Sequence, residues 1–303
     1  MRNRRVWIIA VCLLGALFGG VTSIAIAAEG DVTPPVTSDD CDGLWHNSSV
    51  TVTLTATDDI SGVESTFYSL DQGSTWLPGS SFAVEATPDH LNDGEHPVSY
   101  YSVDAAGNAE TARVCVVKID TLPPVSKSTA DSLWHRRPVT VDLTATDAGS
   151  GVDFTEYSLD GQAWTSGDQV VVNGDGPHRL LYRSADLLGH LETPDRRATV
   201  CIDTVGPWAG APWVIRAQRG KTAESKFRVN DALSPKAKVT IKIVNAAGRV
   251  VKKIGPSLRT TNWWLRARFT CKLGKGTYRF SVYARDLAGN PQRHVGTNKL
   301  VVK

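Results

Sequence analysis

The sequence predicts an all-β protein made of β-sandwiches in tandem, and three observations carry that expectation. First, long stretches of the chain repeat themselves. Pro34-Pro35-Val36, Leu44-Trp45-His46, Leu54-Thr55-Ala56-Thr57-Asp58, Ser61-Gly62-Val63 and Tyr68-Ser69-Leu70-Asp71 all recur 89 residues later without a gap, and a repeat of this kind marks a structural unit used more than once. Second, apolar residues alternate with polar ones. Val50, Val52, Leu54 and Ala56 are separated by threonines, and Val139, Val141, Leu143 and Ala145 repeat the pattern. Side chains on a strand point alternately to opposite faces, so this period gives one buried and one wet face. Third, Asp160-Gly161 sits between two such runs. That pair suits a two-residue hairpin turn whose central positions both need positive φ. No stretch after the N-terminal thirty residues reads as a helix.

Taken in order, the chain opens with Arg2, Arg4 and Arg5, then an apolar run from Val6 to Phe18, then small residues up to Ala28. This is the order of a secretory signal peptide, expected over residues 1–28. The alternative is an uncleaved anchor, since Val6 to Ala28 is long enough to span a bilayer. Repeat 1 is expected at 31–121 and repeat 2 at 122–205, with short proline-stiffened junctions. The offset shrinks late in the repeat, where Asp104, Gly107 and Glu110 match Asp186, Gly189 and Glu192. A third unit, 206–303, is more distant. It keeps strand alternation at Val239, Ile241 and Ile243 and at Tyr278, Phe280, Val282 and Ala284, and Asp286 to Asn290 echoes Asp104 to Asn108. Several short strands in units of this size point to sandwiches.

The Pro-Pro opening, the Ala-Thr-Asp…Ser-Gly-Val segment, the Tyr-Ser-Leu-Asp hairpin and Tyr101-Ser-Val-Asp104-x-x-Gly107-Asn108 resemble the bacterial Ig-like repeats of the leptospiral outer-membrane-protein type, often called a β-barrel domain. Repeat 2 departs from that pattern at Arg183 and His190. The third unit, through Val239 to Val250 and Gly276 to Asn290, is similar to the Ig-like module of flagellar hook-cap proteins. The resemblance implies tandem Ig-like β-sandwich domains of a secreted or surface protein. Such folds host many functions, so it specifies architecture more than activity.

The repeat also organises the cysteines. Cys41 aligns with Ala130 and Cys115 with Ala198, so both are absent together from repeat 2. Joint loss predicts a Cys41–Cys115 disulfide, which an oxidising compartment permits. Cys201 aligns with Lys118 and is expected to face outward as an exposed thiol; Cys271, between Phe269 and Leu273, is expected to face inward.

Catalytic motifs are not in view. No nucleophile elbow, phosphate loop or metalloprotease pattern occurs, and none of the seven histidines has metal-ligand spacing. The chain is therefore expected not to be an enzyme; a triad dispersed in sequence is the enzymatic alternative. His46 and His135 are repeat-equivalent and read as structural. The acidic turns Asp58, Asp59, Asp104 and Asp120 are weak candidates for calcium, which takes six to eight oxygens; ordinary turn chemistry is the favoured reading. Trp45 and Trp134, and Trp76 and Trp164, occupy matching positions expected to serve a core or hairpin face. Trp263-Trp264 are adjacent strand residues that should point to opposite faces, one of them to solvent. With Arg259, Arg266 and Arg268 they are the ligand-binding candidates.

The formal net charge of +2 hides a segregated distribution. Residues 31–120 carry 15 acidic and 2 basic residues, 121–204 carry 12 and 7, and 205–303 carry 3 and 21. A field this lopsided bears on partners. The basic third unit is expected to bind an anionic cell-wall or surface polymer, or the chain's own acidic repeats. No nucleic acid is expected as a partner, and the membrane only through an uncleaved signal. The expected role is non-enzymatic adhesion or spacing outside the cell, secreted or at the surface. A carbohydrate-binding accessory protein using exposed tryptophans is the alternative.

Overall fold

The computed structural model describes residues 30–303; the expected signal peptide, 1–28, lies outside the described residues. The described chain is strand and turn throughout, without a helix. Repeat 1 contains β1 (Val36–Asp39), β2 (Trp45–His46), β3 (Val50–Thr57), β4 (Val63–Ser69), β5 (Leu77–Pro78), β6 (Ser81–Val84), β7 (Gly94–Asp104) and β8 (Arg113–Ile119). Repeat 2 contains β9 (Val125–Ser128), β10 (Trp134–His135), β11 (Val139–Thr146), β12 (Val152–Leu159), β13 (Thr165–Ser166), β14 (Gln169–Val172), β15 (Gly176–Asp186) and β16 (Arg196–Ile202). The third unit contains β17 (Trp208–Gly210), β18 (Ile215–Ala217), β19 (Thr222–Asn230), β20 (Lys236–Val244), β21 (Val250–Thr260), β22 (Trp264–Thr270), β23 (Gly276–Asp286) and β24 (Gly296–Val302).

One strand order recurs three times. The three-stranded sheets run β1-β3-β6, β9-β11-β14 and β17-β19-β22. The five-stranded sheets run β2-β8-β7-β4-β5, β10-β16-β15-β12-β13 and β18-β24-β23-β20-β21. The second strand of each unit pairs in parallel with the last, as in Trp45 with Lys118, Trp134 with Cys201 and Ile215 with Leu300. The opening segment of each unit thus contributes to both sheets, which is the tandem Ig-like β-sandwich arrangement. By contact density the described chain divides into two compact units: one of residues up to Asp42 with Thr51–Ala83 and Pro97–Val116, the other of Gly43–Val50, Val84–His96 and Val117–Lys303.

Burial follows the alternation. Val52 and Leu54, and Val141 and Leu143, are buried, while the intervening Thr53 and Asp142 are exposed. The core of repeat 2 gathers Val141, Leu143, Val170, Val172, Leu180, Tyr182, Val200 and Ile202. The core of the third unit is larger and is built around Phe227, Phe280, Ile243 and Leu300. The Asp160-Gly161 turn adopts the conformation its residues favour, with φ of +53° and +77°.

The recurrent Asp-x-x-Gly-Asn segment has a structural cause. Asp104 Oδ1 accepts the Asn108 backbone N–H, and Oδ2 accepts its side-chain amide, both at 2.7 Å. Asp286 and Asn290 repeat the clasp at 2.7 and 2.8 Å. The next glutamate along reaches back into the sandwich: Glu110 accepts the Ser102 backbone N–H at 2.9 Å, and Glu192 accepts that of Ser126 at 3.2 Å. In the third unit Gln292 serves instead, accepting the Ala284 N–H at 3.0 Å.

Cys41 and Cys115 are joined in a disulfide, with Cα atoms 6.2 Å apart. Cys201 corrects an expectation, because it is buried, as Cys271 is. The register explains why. Cys201 stands between Trp134 and Pro177 on one face of its sheet. In repeat 1 the same place is held by Lys118, whose ammonium reaches 5.7 Å from the Trp45 ring centroid. A lysine extends past the indole to water, whereas a thiol is too short to do so.

Candidate functional site

The third unit holds two surfaces with the chemistry to bind a ligand. The first is the outer face of the five-stranded sheet. Residues paired across neighbouring strands share a face. Lys238 stands opposite Arg285, and Thr240 opposite Tyr283. Lys242 stands opposite Lys253. Together they line a groove of about 520 Å³ with Gln292 at its rim. Lys242 Nζ sits 4.7 Å from the Tyr283 ring centroid, within cation–π range. Among the described residues no carboxylate forms an ion pair with Lys238, Lys242, Lys253 or Arg285. Like charges directly opposite one another on a sheet are destabilising, and this face carries two such pairs.

The second surface is an aromatic cleft of about 500 Å³ beside the three-stranded sheet. Trp208 stacks on His294, with ring centroids 5.1 Å apart and planes 12° apart. His294 Nδ1 lies 2.8 Å from the Ala209 carbonyl and so donates to it. Trp264 meets Trp213 at 4.5 Å between centroids, and Arg228 lies over the Trp264 ring at 5.9 Å.

These surfaces regroup the residues singled out in the sequence. Trp263 and Trp264 do not divide between a buried and an exposed face: both are exposed, at 70% and 52%. Trp263 precedes β22 and lies in the turn, where strand alternation does not apply. Arg266 and Arg268 extend from β22 but are held by Glu224, at 3.2 and 2.7 Å. Their cationic groups hold the Glu224 carboxyl below its usual value, the Arg268 hydrogen bond foremost. Arg259 lies on β21, on the other sheet, where its Nε donates to Ser257 Oγ at 3.1 Å. The residue over Trp264 is Arg228. It, Trp208, Trp213 and His294 carried no sequence signal, because they come from separate segments that only the sandwich assembles.

Of the matched tryptophans, Trp45 and Trp134 lie in the parallel strands β2 and β10, and Trp76 and Trp164 stand at the hairpins leading into β5 and β13. Trp76 packs edge-on against Tyr101 at 4.6 Å, and Trp164 lies under Arg183 at 4.0 Å. His46 and His135 lie in the short parallel strands β2 and β10, and His135 Nε2 pairs with Asp131 at 2.7 Å.

The acidic candidates also regroup. Asp58 and Asp104 come together, but with Asp31 rather than with Asp59 or Asp120. Asp59 instead accepts the Thr33 hydroxyl at 2.8 Å. Asp120 belongs with Asp186 and His190, and a third cluster joins Asp203, Asp231 and Asp286. Asp31, Asp120 and Asp203 each come from the segment just ahead of a unit's first strand and join residues far along the chain, which is why neighbouring sequence positions did not reveal the clusters.

No protein-family profile matches the chain, and no curated protein does. Solved structures that are similar in fold include the ICAM-5 D1–D4 ectodomain fragment (13% identity, 89% of this chain and 77% of that one, TM-score 0.44). Others are the FN1–FN3 domains of chicken CNTN1 (12%, 88% and 98%, 0.35) and a tetra-tandem repeat from the extending region of a large adhesion protein (14%, 88% and 74%, 0.33).

Proposed function

We propose that this is a secreted or cell-surface, non-enzymatic adhesion or spacer protein of Ig-like repeats, similar to the leptospiral type with a hook-cap-like last unit. We further propose that its third unit binds an anionic surface polymer. The observation that carries this reading is the uncompensated cationic face formed by Lys238, Lys242, Lys253 and Arg285 around Tyr283. Like-charge pairs across a sheet are costly unless something neutralises them, and among the described residues no carboxylate is paired with them. Strand residues rise about 3.3 Å each, so Lys238 and Lys242 are about 13 Å apart along β20. That spacing suits a chain bearing phosphates or carboxylates at intervals rather than a single small anion.

The test is retention of the protein on immobilised polyphosphate and on an acidic polysaccharide across a salt gradient. Binding should weaken steeply with ionic strength, because exposed charges are screened beyond about 8 Å at physiological salt. The variant Lys238→Gln/Lys242→Gln/Arg285→Gln should elute at lower salt. Unchanged elution of that variant, or retention insensitive to salt, defeats the reading.

A second reading is favoured by the aromatic cleft: stacking of Trp208 and Trp264 on sugar rings, as a carbohydrate-binding accessory protein would use them. A glycan array with Trp208→Ala and Trp264→Ala separates the two, since neutral glycans lost by these variants point to the cleft and not to the cationic face.

A further inference from the structure

We propose that Asp203, Asp231 and Asp286 form a binding site for a hard divalent cation, of which calcium is the type. Carboxylate oxygens from all three lie within 4.8 Å of one another. The side chains are deeply buried, at 1%, 8% and 5% exposure. Asp203 Oδ2 and Asp231 Oδ2 have no hydrogen-bond partner. The other oxygens are engaged: Asp203 Oδ1 accepts the Val205 N–H at 3.1 Å, and Asp231 Oδ1 accepts those of Leu233 and Ser234 at 3.0 and 2.8 Å. Asp286 Oδ1 accepts the Asn290 backbone N–H and Oδ2 its side-chain amide, which also donates to the Asp203 carbonyl at 2.6 Å. The loops are therefore tied, and the two unused oxygens belong to buried carboxylates that face one another.

Burial of an unpaired carboxylate is costly, and three together are more so. The compensation is not a basic side chain. Residues 205–303 contain 21 lysines and arginines and only three acids, yet among the described residues none of these cations pairs with the cluster. Two of the three acids, Asp231 and Asp286, are placed in it, and the third, Glu224, holds Arg266 and Arg268. A domain so rich in cations that leaves its buried carboxylates without one has kept the place for a cation from solution.

The equivalent cluster of repeat 2 serves as an internal comparison. There the position of Asn290 is taken by His190, whose Nδ1 meets Asp186 Oδ2 at 2.7 Å. Asp120 Oδ2 accepts the Ser150 N–H at 2.7 Å, and its Oδ1 that of Leu122 at 3.3 Å. No oxygen of that cluster is left over. In repeat 1 one oxygen remains free, Asp58 Oδ1. The deficit is greatest in the third unit, where the aspartates are also buried and no histidine fills the gap. Calcium fits better than magnesium, because it accepts several carboxylates in flexible geometry, whereas magnesium keeps several waters that so buried a site would exclude.

The test is calorimetric titration of the full chain, stripped with chelator, with calcium chloride, beside Asp203→Asn and Asp231→Asn. Asparagine keeps the shape and the loop-capping oxygen while removing a charge. Wild type should bind calcium and gain thermal stability from it. Each variant should lose at least about tenfold in affinity at one site. In chelator both variants should melt above wild type, because like-charge repulsion is relieved. No calcium heat and no melting shift in wild type would overturn the proposal. So would calcium binding unchanged in both variants, which would place the ion elsewhere. Should one variant fail to fold, the other decides alone.

Discussion

His178 is clamped to Asp160 across the repeat 2 hairpin: Nδ1 lies 2.8 Å from Asp160 Oδ2, while Nε2 lies 3.0 Å from the Gly174 carbonyl. Both ring nitrogens face acceptors, so the charged imidazolium, with two N–H donors, satisfies the geometry fully. The Asp160 hydrogen bond raises the His178 value above 6.5. Burial works against the ionised Asp160, but hydrogen bonds from His178 and Arg179 hold it below 3.8. The histidine's contribution is thus fully present below about pH 6.5 and is lost as pH rises through its raised folded value. The aspartate's is present above 3.8 and is lost as pH falls through its depressed one. An NMR titration should place the His178 midpoint above 6.5, and Asp160→Asn should lower it. A midpoint at or below the ordinary value would show that the clamp does not form.

Reduction should weaken repeat 1 selectively. The Cys41–Cys115 bond spans a separation of 74 residues, and a loop of that length stabilises by about 4 kcal/mol in the chain-entropy model. Hydrogen exchange in β3 and β7 should accelerate on reduction, while exchange in β11 and β15 of repeat 2, which lacks the bridge, should not. Cys201 and Cys271 should resist thiol reagents in the native protein. Both are buried, and burial raises the Cys201 thiol's pKa. Rapid native labelling of Cys201 would restore the outward thiol that its alignment with Lys118 suggests.

Gly206 should not tolerate alanine. A Cβ there would run into the Pro291 carbonyl and crowd Asn290 Cβ at 3.3 Å. Its own carbonyl accepts Arg293 Nε at 3.0 Å, and the Pro207 carbonyl accepts the Arg293 N–H at 2.8 Å. Overpacking of this sort costs about 1–3 kcal/mol. Gly206→Ala should therefore lower the melting temperature and open the 203–210 segment to limited proteolysis. A wild-type cleavage pattern would mean that the backbone there yields more easily than its contacts suggest.

Glu224→Gln should strengthen binding to anionic polymer. It releases Arg266 and Arg268 from the carboxylate that holds them and removes one of three acids in a strongly basic region. The variant should elute from immobilised polyphosphate at higher salt than wild type. Elution at equal or lower salt would show that the cationic surface is not additive in this way.

Much of the architecture is legible in the residues alone. The threonine alternation of β3 and β11 marks strand and inward face, because a period of two has only one physical reading. Asp160-Gly161 marks its turn, because few residue pairs accept positive φ twice. The joint absence of Cys41 and Cys115 from repeat 2 marks the disulfide. Other readings fail where local pattern is not enough. Cys201 is buried by Trp134 and Pro177, which lie far from it in sequence. Trp263 escapes strand alternation because β22 begins one residue later. The calcium candidates mixed residues of two clusters. Asp31, Asp120 and Asp203 sit just ahead of the first strands of successive units, and each joins residues that come later in the chain.

By itself, then, the sequence determined the class of fold, the repeat, the turns, the disulfide and the segregation of charge, all of which depend on residue type and short-range spacing. Only the tertiary structure decided which charges remain uncompensated. It paired Arg266 and Arg268 with Glu224, aligned Lys238 and Lys242 against Arg285 and Lys253, and buried Asp203 beside Asp231 and Asp286. Whether a charge is screened, paired or stranded depends on distances between strands and loops remote in sequence, and those distances are fixed by packing.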